Sequence, residues 1–249
     1  MASNPPGACC LKTTFHEGAP VGKHSELFGL NTYITGENKG KFLIILTDIY
    51  GNTYNNVLLV ADQLAANGYQ VLIPDILDGD DAISDHPDGM NYLMPWLRVH
   101  EKTAPPIIAK FLESFKAEYK PSFVGGIGYC FGAKYVVQQL GANGVFDAAA
   151  IAHPSFVSIE EVKAITKPLL ISAAETDNIF PEELRRQTED TLKEMGATYQ
   201  ISLFSGVEHG FAVRGDLKKP AGKYALEKTL LDQSVWFNAF STKAEAANL

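Results

Sequence analysis

"GGIGYCFGAKYVVQQL", residues 125–140, joins an apolar, glycine-rich stretch to a run with helical spacing, and a cysteine sits at the joint. Gly128-Tyr129-Cys130-Phe131-Gly132 has the form G-x-C-x-G, a nucleophile elbow with sulfur in place of the serine oxygen. The glycines have a steric task. A sharp strand-to-helix turn leaves no room for side chains two residues to either side, and the apex residue is held strained with its side chain presented. With Gly at about 7% of residues, two glycines fall at those offsets by chance for roughly 0.5% of cysteines. A buried free cysteine is the ordinary alternative. A thiol at a helix N-terminus, however, meets unpaired N–H groups and the positive end of the dipole, which favour the thiolate.

Outward from this joint the chain alternates short apolar runs with helical stretches. Residues 41–47, 69–74, 122–129, 146–153, 167–174 and 198–205 predict strands; most lack polar alternation, as in strands covered on both faces. Helices are expected over 54–67, closed by Gly68, and over 103–119, with Pro105 and Pro106 in the first turn. Two more are expected over 181–195, between Pro181 and Gly196, and over 224–240. This order implies an α/β chain with a mostly parallel central sheet, helices on both faces and right-handed crossovers. "LNTYITG" is expected as an antiparallel edge strand and residues 74–95 as a long loop beside the site. No repeat or linker is visible, so 1–249 is expected to be one domain.

Composition narrows the functions. A formal net charge of −8, with no basic stripe, argues against nucleic acid. No apolar run approaches the ~20 residues that cross a bilayer, and the first residues lack the layout of a signal peptide. The C-terminal "STKAEAANL" carries no address signal. Three cysteines, two of them adjacent at Cys9 and Cys10, do not make a disulfide framework. A reducing, cytoplasmic setting is expected. No cofactor and no metal are expected.

A thiol nucleophile needs a base, and the base an orienting acid. In a parallel sheet the loops at the C-terminal strand ends carry the site. Asp177 lies in "SAAETDNIFP" after one later strand, and His209 in "FSGVEHGF" after the next, giving the order nucleophile, acid, histidine. His16, His24, His86 and His100 precede the elbow. His153 follows it but has no later acid-bearing loop in the right order, so a structural or pocket-lining role is expected. Glu175 and Glu208 are expected as solvated loop carboxylates.

"GYCFG", "TDNIFP" and "FSGVEHGF" in this order resemble the dienelactone hydrolase family of the α/β-hydrolase fold, over most of the chain from residue 41 to the last helix. The resemblance implies hydrolysis of an enol lactone through a thioester on Cys130, with Asp177 and His209 completing a triad. It also implies an oxyanion hole from the backbone N–H groups of Phe131 and Ile49. "LTDIYGN" stands where the family has a glutamate that contacts the thiol; here the position is Asp48, one methylene shorter, and a plain turn residue is the other reading. Arg214 and, more weakly, Arg98 are candidates for gripping an anionic substrate group. Tyr50, Trp96, Phe131, Phe180 and Phe211 are candidate aromatic walls, though each equally suits core packing.

Three functions stay open on the sequence. The first is hydrolysis of a small-molecule lactone or activated ester. The second keeps the fold but passes the acyl group to another acceptor, or works within a secondary-metabolite pathway. The third is a non-catalytic thiol sensor or binding module, which has no need of an acid–histidine relay. Monomer and homodimer are both compatible with the chain.

Overall fold

In the computed structural model, which describes residues 1–37 and 39–247 with side chains to Ser241, one sheet of eight strands organises the chain. The C-terminal residues searched for an address signal lie, after Ser241, outside the described side chains. The strands are β1 (Lys23–Leu27), β2 (Leu30–Thr35), β3 (Lys41–Leu46), β4 (Gln70–Pro74), β5 (Phe123–Tyr129), β6 (Ala148–Ala152), β7 (Leu169–Thr176) and β8 (Tyr199–Glu208), in the order β1-β2-β4-β3-β5-β6-β7-β8. From β4 to β8 all neighbours pair in parallel; β2 pairs antiparallel with both β1 and β4. This is the α/β-hydrolase fold.

The helices are α1 (Asn55–Ala65), α2 (Met90–Glu118), α3 (Phe131–Gln138), α4 (Ile159–Lys163), α5 (Glu182–Glu194), α6 (Phe211–Arg214) and α7 (Pro220–Ala247). Among the described residues, none is long and apolar enough to cross a membrane. Two apolar layers, one on each face, show why the strands lack polar alternation. In β3, Phe42, Ile44 and Leu46 face the layer of α2 and α3, while Leu43 and Ile45 face that of α1 and α7.

Two expectations need correction, and two short helices have no counterpart in the sequence reading. "LNTYITG" forms the antiparallel β2, but β1 is the edge. Its sequence, KHSEL, is almost wholly exposed and carries no apolar signal. The β1–β2 hairpin turns at Phe28 and Gly29, both at positive φ, the pattern of a type I′ turn. Second, α2 starts at Met90 and runs through Pro95, Pro105 and Pro106, so the loop expected over 74–95 is shorter. A buried stripe continues across the prolines: Leu93, Trp96, Leu97 and His100 before them, Ile108, Phe111, Leu112 and Phe115 after. That burial outweighs the cost of proline in a helix, about 3 kcal/mol. Finally, the one-turn helices α4 and α6 are too short to leave a periodic trace.

Phe237, on α7, is fully buried against β5, where a Cβ added to Gly125 would come within 2.7 Å of its ring. Truncating it removes the main anchor of the last helix. Phe237→Ala should therefore lower unfolding free energy by about 3–5 kcal/mol, read from urea denaturation.

Candidate active site

The elbow is built by contact. β5 ends at Tyr129, Cys130 follows with φ of +47°, and α3 begins at Phe131. A Cβ at Gly128 would lie 2.6 Å from Ala133 Cα, and one at Gly132 would lie 2.1 Å from the Leu46 carbonyl oxygen. Both clashes are with backbone, so only glycine fits. Positive φ at a cysteine costs on the order of 1–3 kcal/mol and persists only when its surroundings enforce it. Here the Cys130 N–H donates to the Ala152 carbonyl (3.2 Å), and the Cys130 carbonyl accepts from Ser155 N–H (3.1 Å).

Successive strand ends carry the next two groups. After β7, Asp177 Oδ1 accepts from the N–H groups of Ile179 (2.8 Å) and Phe180 (3.0 Å), which leaves Oδ2 to accept from His209 Nδ1 (2.8 Å). After β8, His209 points Nε2 at Cys130 Sγ, 3.2 Å away. All three residues are buried. Burial works against an imidazolium at His209, but the nearby Cys10 sulfur and the hydrogen bond to Asp177 outweigh it, and the pKa is raised from 6.5 to about 10. The structure thus joins Cys130, His209 and Asp177 into one hydrogen-bonded line.

His153 stands behind that line. Its ring lies edge-on to His209 with centroids 5.0 Å apart, both its nitrogens are buried without a hydrogen-bond partner, and burial first, then His209 and Arg214, hold its pKa well below 6.5. It is a neutral aromatic plate. Glu175 sits at an exposed corner, accepting from Ser205 Oγ and Gly206 N–H, both at 2.9 Å; Glu208 is exposed as well.

Asp48 and Arg214 depart from expectation. The polar neighbours of the Cys130 sulfur are His209, Cys10 (3.6 Å) and Ser155 (3.8 Å); Asp48 is not among them. Its Oδ1 accepts from Tyr50 N–H (3.0 Å), and its Oδ2 lies 2.8 Å from Arg214 Nε, close enough for an ion pair but off the hydrogen-bond axis. Burial pushes the Asp48 carboxyl up, and the Arg214 guanidinium is the main force pulling it back. Arg214 in turn donates from Nη1 to the carbonyls of Cys10 (2.7 Å) and Lys12 (3.0 Å) and lies over the Tyr50 ring. The arginine expected to grip substrate is spent on the fold, apart from a buried Nη2 without a partner. Arg98 is exposed on α2 and makes no part of the site.

The aromatic candidates divide. Trp96 packs near Phe131, with ring centroids 6.3 Å apart, and donates Nε1–H to the Asp80 carbonyl (2.9 Å). Tyr50 donates its hydroxyl to the Cys10 carbonyl (2.9 Å), and Phe180 is buried in the core beside Ala2 and Val157. Phe211 lines a cavity of about 270 Å³ together with Cys9, Lys12, His209, Arg214 and Lys219. Ile49 is fully buried next to Asp48, and its carbonyl accepts from Ala82 N–H (2.8 Å). Phe131 N–H opens α3, where a first-turn donor has no acceptor within the helix.

The N-terminal segment is the part of the site that sequence reasoning missed. Ala2 and Ser3 donate N–H to the Val157 carbonyl (2.8 and 2.9 Å), and Asn4 to that of Ile179 (2.7 Å). A 3-10 turn, Ala8–Leu11, then lays Cys10 against Cys130. These residues have no periodicity and pair with partners far along the chain. The adjacent cysteines are their one local signal.

Two measurements follow from these electrostatics. Arg214→Ala strands the Asp48 carboxyl in the interior and should cost about 3–5 kcal/mol in urea denaturation; an Asp48→Leu, Arg214→Met double variant should recover most of it. A histidine raised from 6.5 to about 10 by folding contributes stability that is complete below pH 6.5 and lost as pH rises toward 10. The stability difference between wild type and His209→Gln in thermal melts should accordingly shrink across that window.

The dienelactone hydrolase family model matches residues 30–241. The chain is 38% identical over 247 residues to hydrolase pyvD of Aspergillus violaceofuscus, covering 98% of this chain and all of that one. It is also 38% identical over 258 residues to hydrolase tropI of Talaromyces stipitatus, covering 96% and 98%. Among solved structures, a dienelactone hydrolase from Anabaena variabilis superposes with a TM-score of 0.64 at 12% identity, covering 88% of this chain and 98% of that one, a likeness of fold. With an elbow, an acid loop and a histidine loop at successive strand ends of this sheet, the chain belongs to the dienelactone hydrolase family.

Proposed function

We propose that this protein is a cysteine hydrolase of a small-molecule lactone or activated ester, working through a thioester on Cys130. One observation carries the reading: the buried line Asp177–His209–Cys130, with contacts of 2.8 and 3.2 Å. Asp177 accepts from Nδ1, so the proton on that nitrogen is fixed and Nε2 faces the sulfur. With its pKa raised to about 10, His209 already holds the thiol proton on Nε2 at neutral pH, and the sulfur attacks the substrate carbonyl as a thiolate. The N–H groups of Ile49 and Phe131 are proposed to stabilise the oxyanion. Collapse of the tetrahedral adduct expels the alkoxide or enolate, which takes the proton from His209. Water, deprotonated by the same Nε2, then hydrolyses the thioester and frees the Cys130 thiolate beside the His209 imidazolium, the pair that began the cycle.

Asp48 has no proton-transfer part in this scheme, because its carboxylate is committed to Arg214 and Tyr50. Thiol deprotonation falls to His209 alone. The two apolar layers run from β2 to β8, which supports treating 1–249 as a single domain. A reducing, cytoplasmic setting is proposed with this chemistry, because a thiol nucleophile has to stay unoxidised.

A hydrolysis screen of cyclic enol lactones and open-chain aryl esters tests the proposal. Cys130→Ala and His209→Ala should each lose at least about 10³-fold in kcat. Retention of a tenth of wild-type turnover by Cys130→Ala, or a greater loss in His153→Ala than in His209→Ala, would overturn the assignment. A turnover rate that climbs with an added alcohol or amine acceptor would identify acyl transfer in place of hydrolysis.

A further inference from the structure

The hydrolytic scheme leaves one buried thiol at the site without a task. Cys10 Sγ lies 3.6 Å from Cys130 Sγ, which lies 3.2 Å from His209 Nε2, and these three donor atoms are mutually within 4.8 Å. Two sulfurs and an imidazole nitrogen form a donor set suited to soft and borderline d10 cations. For metal–sulfur bonds of about 2.3 Å and metal–nitrogen bonds of about 2.0–2.1 Å, the edges of a tetrahedron come to about 3.8 Å between sulfurs and about 3.5 Å from sulfur to nitrogen. The two edges at Cys130, 3.6 and 3.2 Å, are slightly shorter than these, and the third, from Cys10 to His209, lies within 4.8 Å, so small shifts of the side chains admit an ion.

We propose that Cys10, Cys130 and His209 bind one Zn²⁺-like cation, which occupies the sulfur lone pair of Cys130 and masks the nucleophile. The masking rests on the function proposed above; the binding does not. Of the three ligands His209 alone lines the neighbouring cavity, with Cys9, while Cys10 and Cys130 are fully buried; entry is proposed from that side by parting of the wall, with water in the fourth coordination position. On binding, the two thiols and the imidazole together release two protons to solvent, and no electron is transferred. Cys10 is held by its backbone, since its carbonyl accepts from Arg214 Nη1 and Tyr50 Oη–H. Changing its side chain therefore leaves the segment anchored.

The test uses the full chain, reduced with a phosphine that does not chelate. Titration with Co²⁺ should give one ion per chain, with sulfur-to-cobalt charge transfer in the near ultraviolet and the intense visible bands of four-coordinate cobalt. Zn²⁺ should displace it and stop aryl-ester hydrolysis, with recovery on adding EDTA. Cys10→Ser, with zinc inhibition read against its own metal-free rate, should need at least about 100-fold more Zn²⁺ for half-inhibition, more than loss of an outer-shell partner costs. Cys130→Ser should lose charge-transfer intensity, a readout that needs no activity. Pale, six-coordinate cobalt spectra, or the same zinc sensitivity in wild type and Cys10→Ser, would overturn the site. Full four-coordinate spectra with hydrolysis unaffected by Zn²⁺ would instead uphold the site and overturn masking, and with it the cysteine nucleophile.

Discussion

A buried guanidinium holds three distant pieces of this chain in one place. Arg214 lies one turn beyond His209, pairs with Asp48 after β3 and reaches the carbonyls of Cys10 and Lys12 in the N-terminal segment. Each contact alone is weak evidence for stability, because desolvating an ion pair offsets much of its attraction. The arrangement sets geometry. Gly210, at φ of +92°, lets the chain fold back so closely that a Cβ there would meet Arg214 Nη2 at 2.7 Å. The histidine loop is thereby fastened to the elbow's neighbours, and the distance from His209 to Cys130 becomes a property of the fold more than of a mobile loop.

The same pairing explains why a carboxylate at position 48 stays away from the thiol. An aspartate is short, and its reach is taken up by Tyr50 N–H on one oxygen and the guanidinium on the other. A carboxylate beside the sulfur would raise the cost of the thiolate by repulsion. Neutralised by Arg214 and set aside, Asp48 leaves the imidazole as the sulfur's main electrostatic partner.

The sequence discloses those parts of the fold in which local sterics and burial agree. The elbow is legible because Gly128 and Gly132 answer contacts within a few residues or with the adjacent strand. The strands β3 to β7 are legible because burial on both faces leaves continuous apolar runs. What escapes depends on partners far away. β1 is polar and exists as a strand only through its pairing with β2. The first half of α2 is a helix despite Pro95, because Trp96 and His100 lock onto Asp80. The role of Arg214 could not be read from its spacing to His209, since the acceptors it satisfies lie some two hundred residues earlier, 204 in the case of Cys10.

That separation has a consequence for how the molecule comes into being. Synthesis delivers residues 2–4 before their hydrogen-bond partners Val157 and Ile179, and Thr14 before Arg214, whose carbonyl accepts from Thr14 N–H. Residues 10–14 also meet Tyr50, Asn56 and Asp85, but residues 2–4 cannot make their bonds until the chain through β7 has emerged. Contacts of such long sequence range carry the largest loop-closure cost and form late. The stretch at residues 2–4 is therefore among the last pieces to settle during synthesis. For the same reason it is expected to be among the first to open in local unfolding, with backbone amides that exchange hydrogen faster than those of β3 or β5.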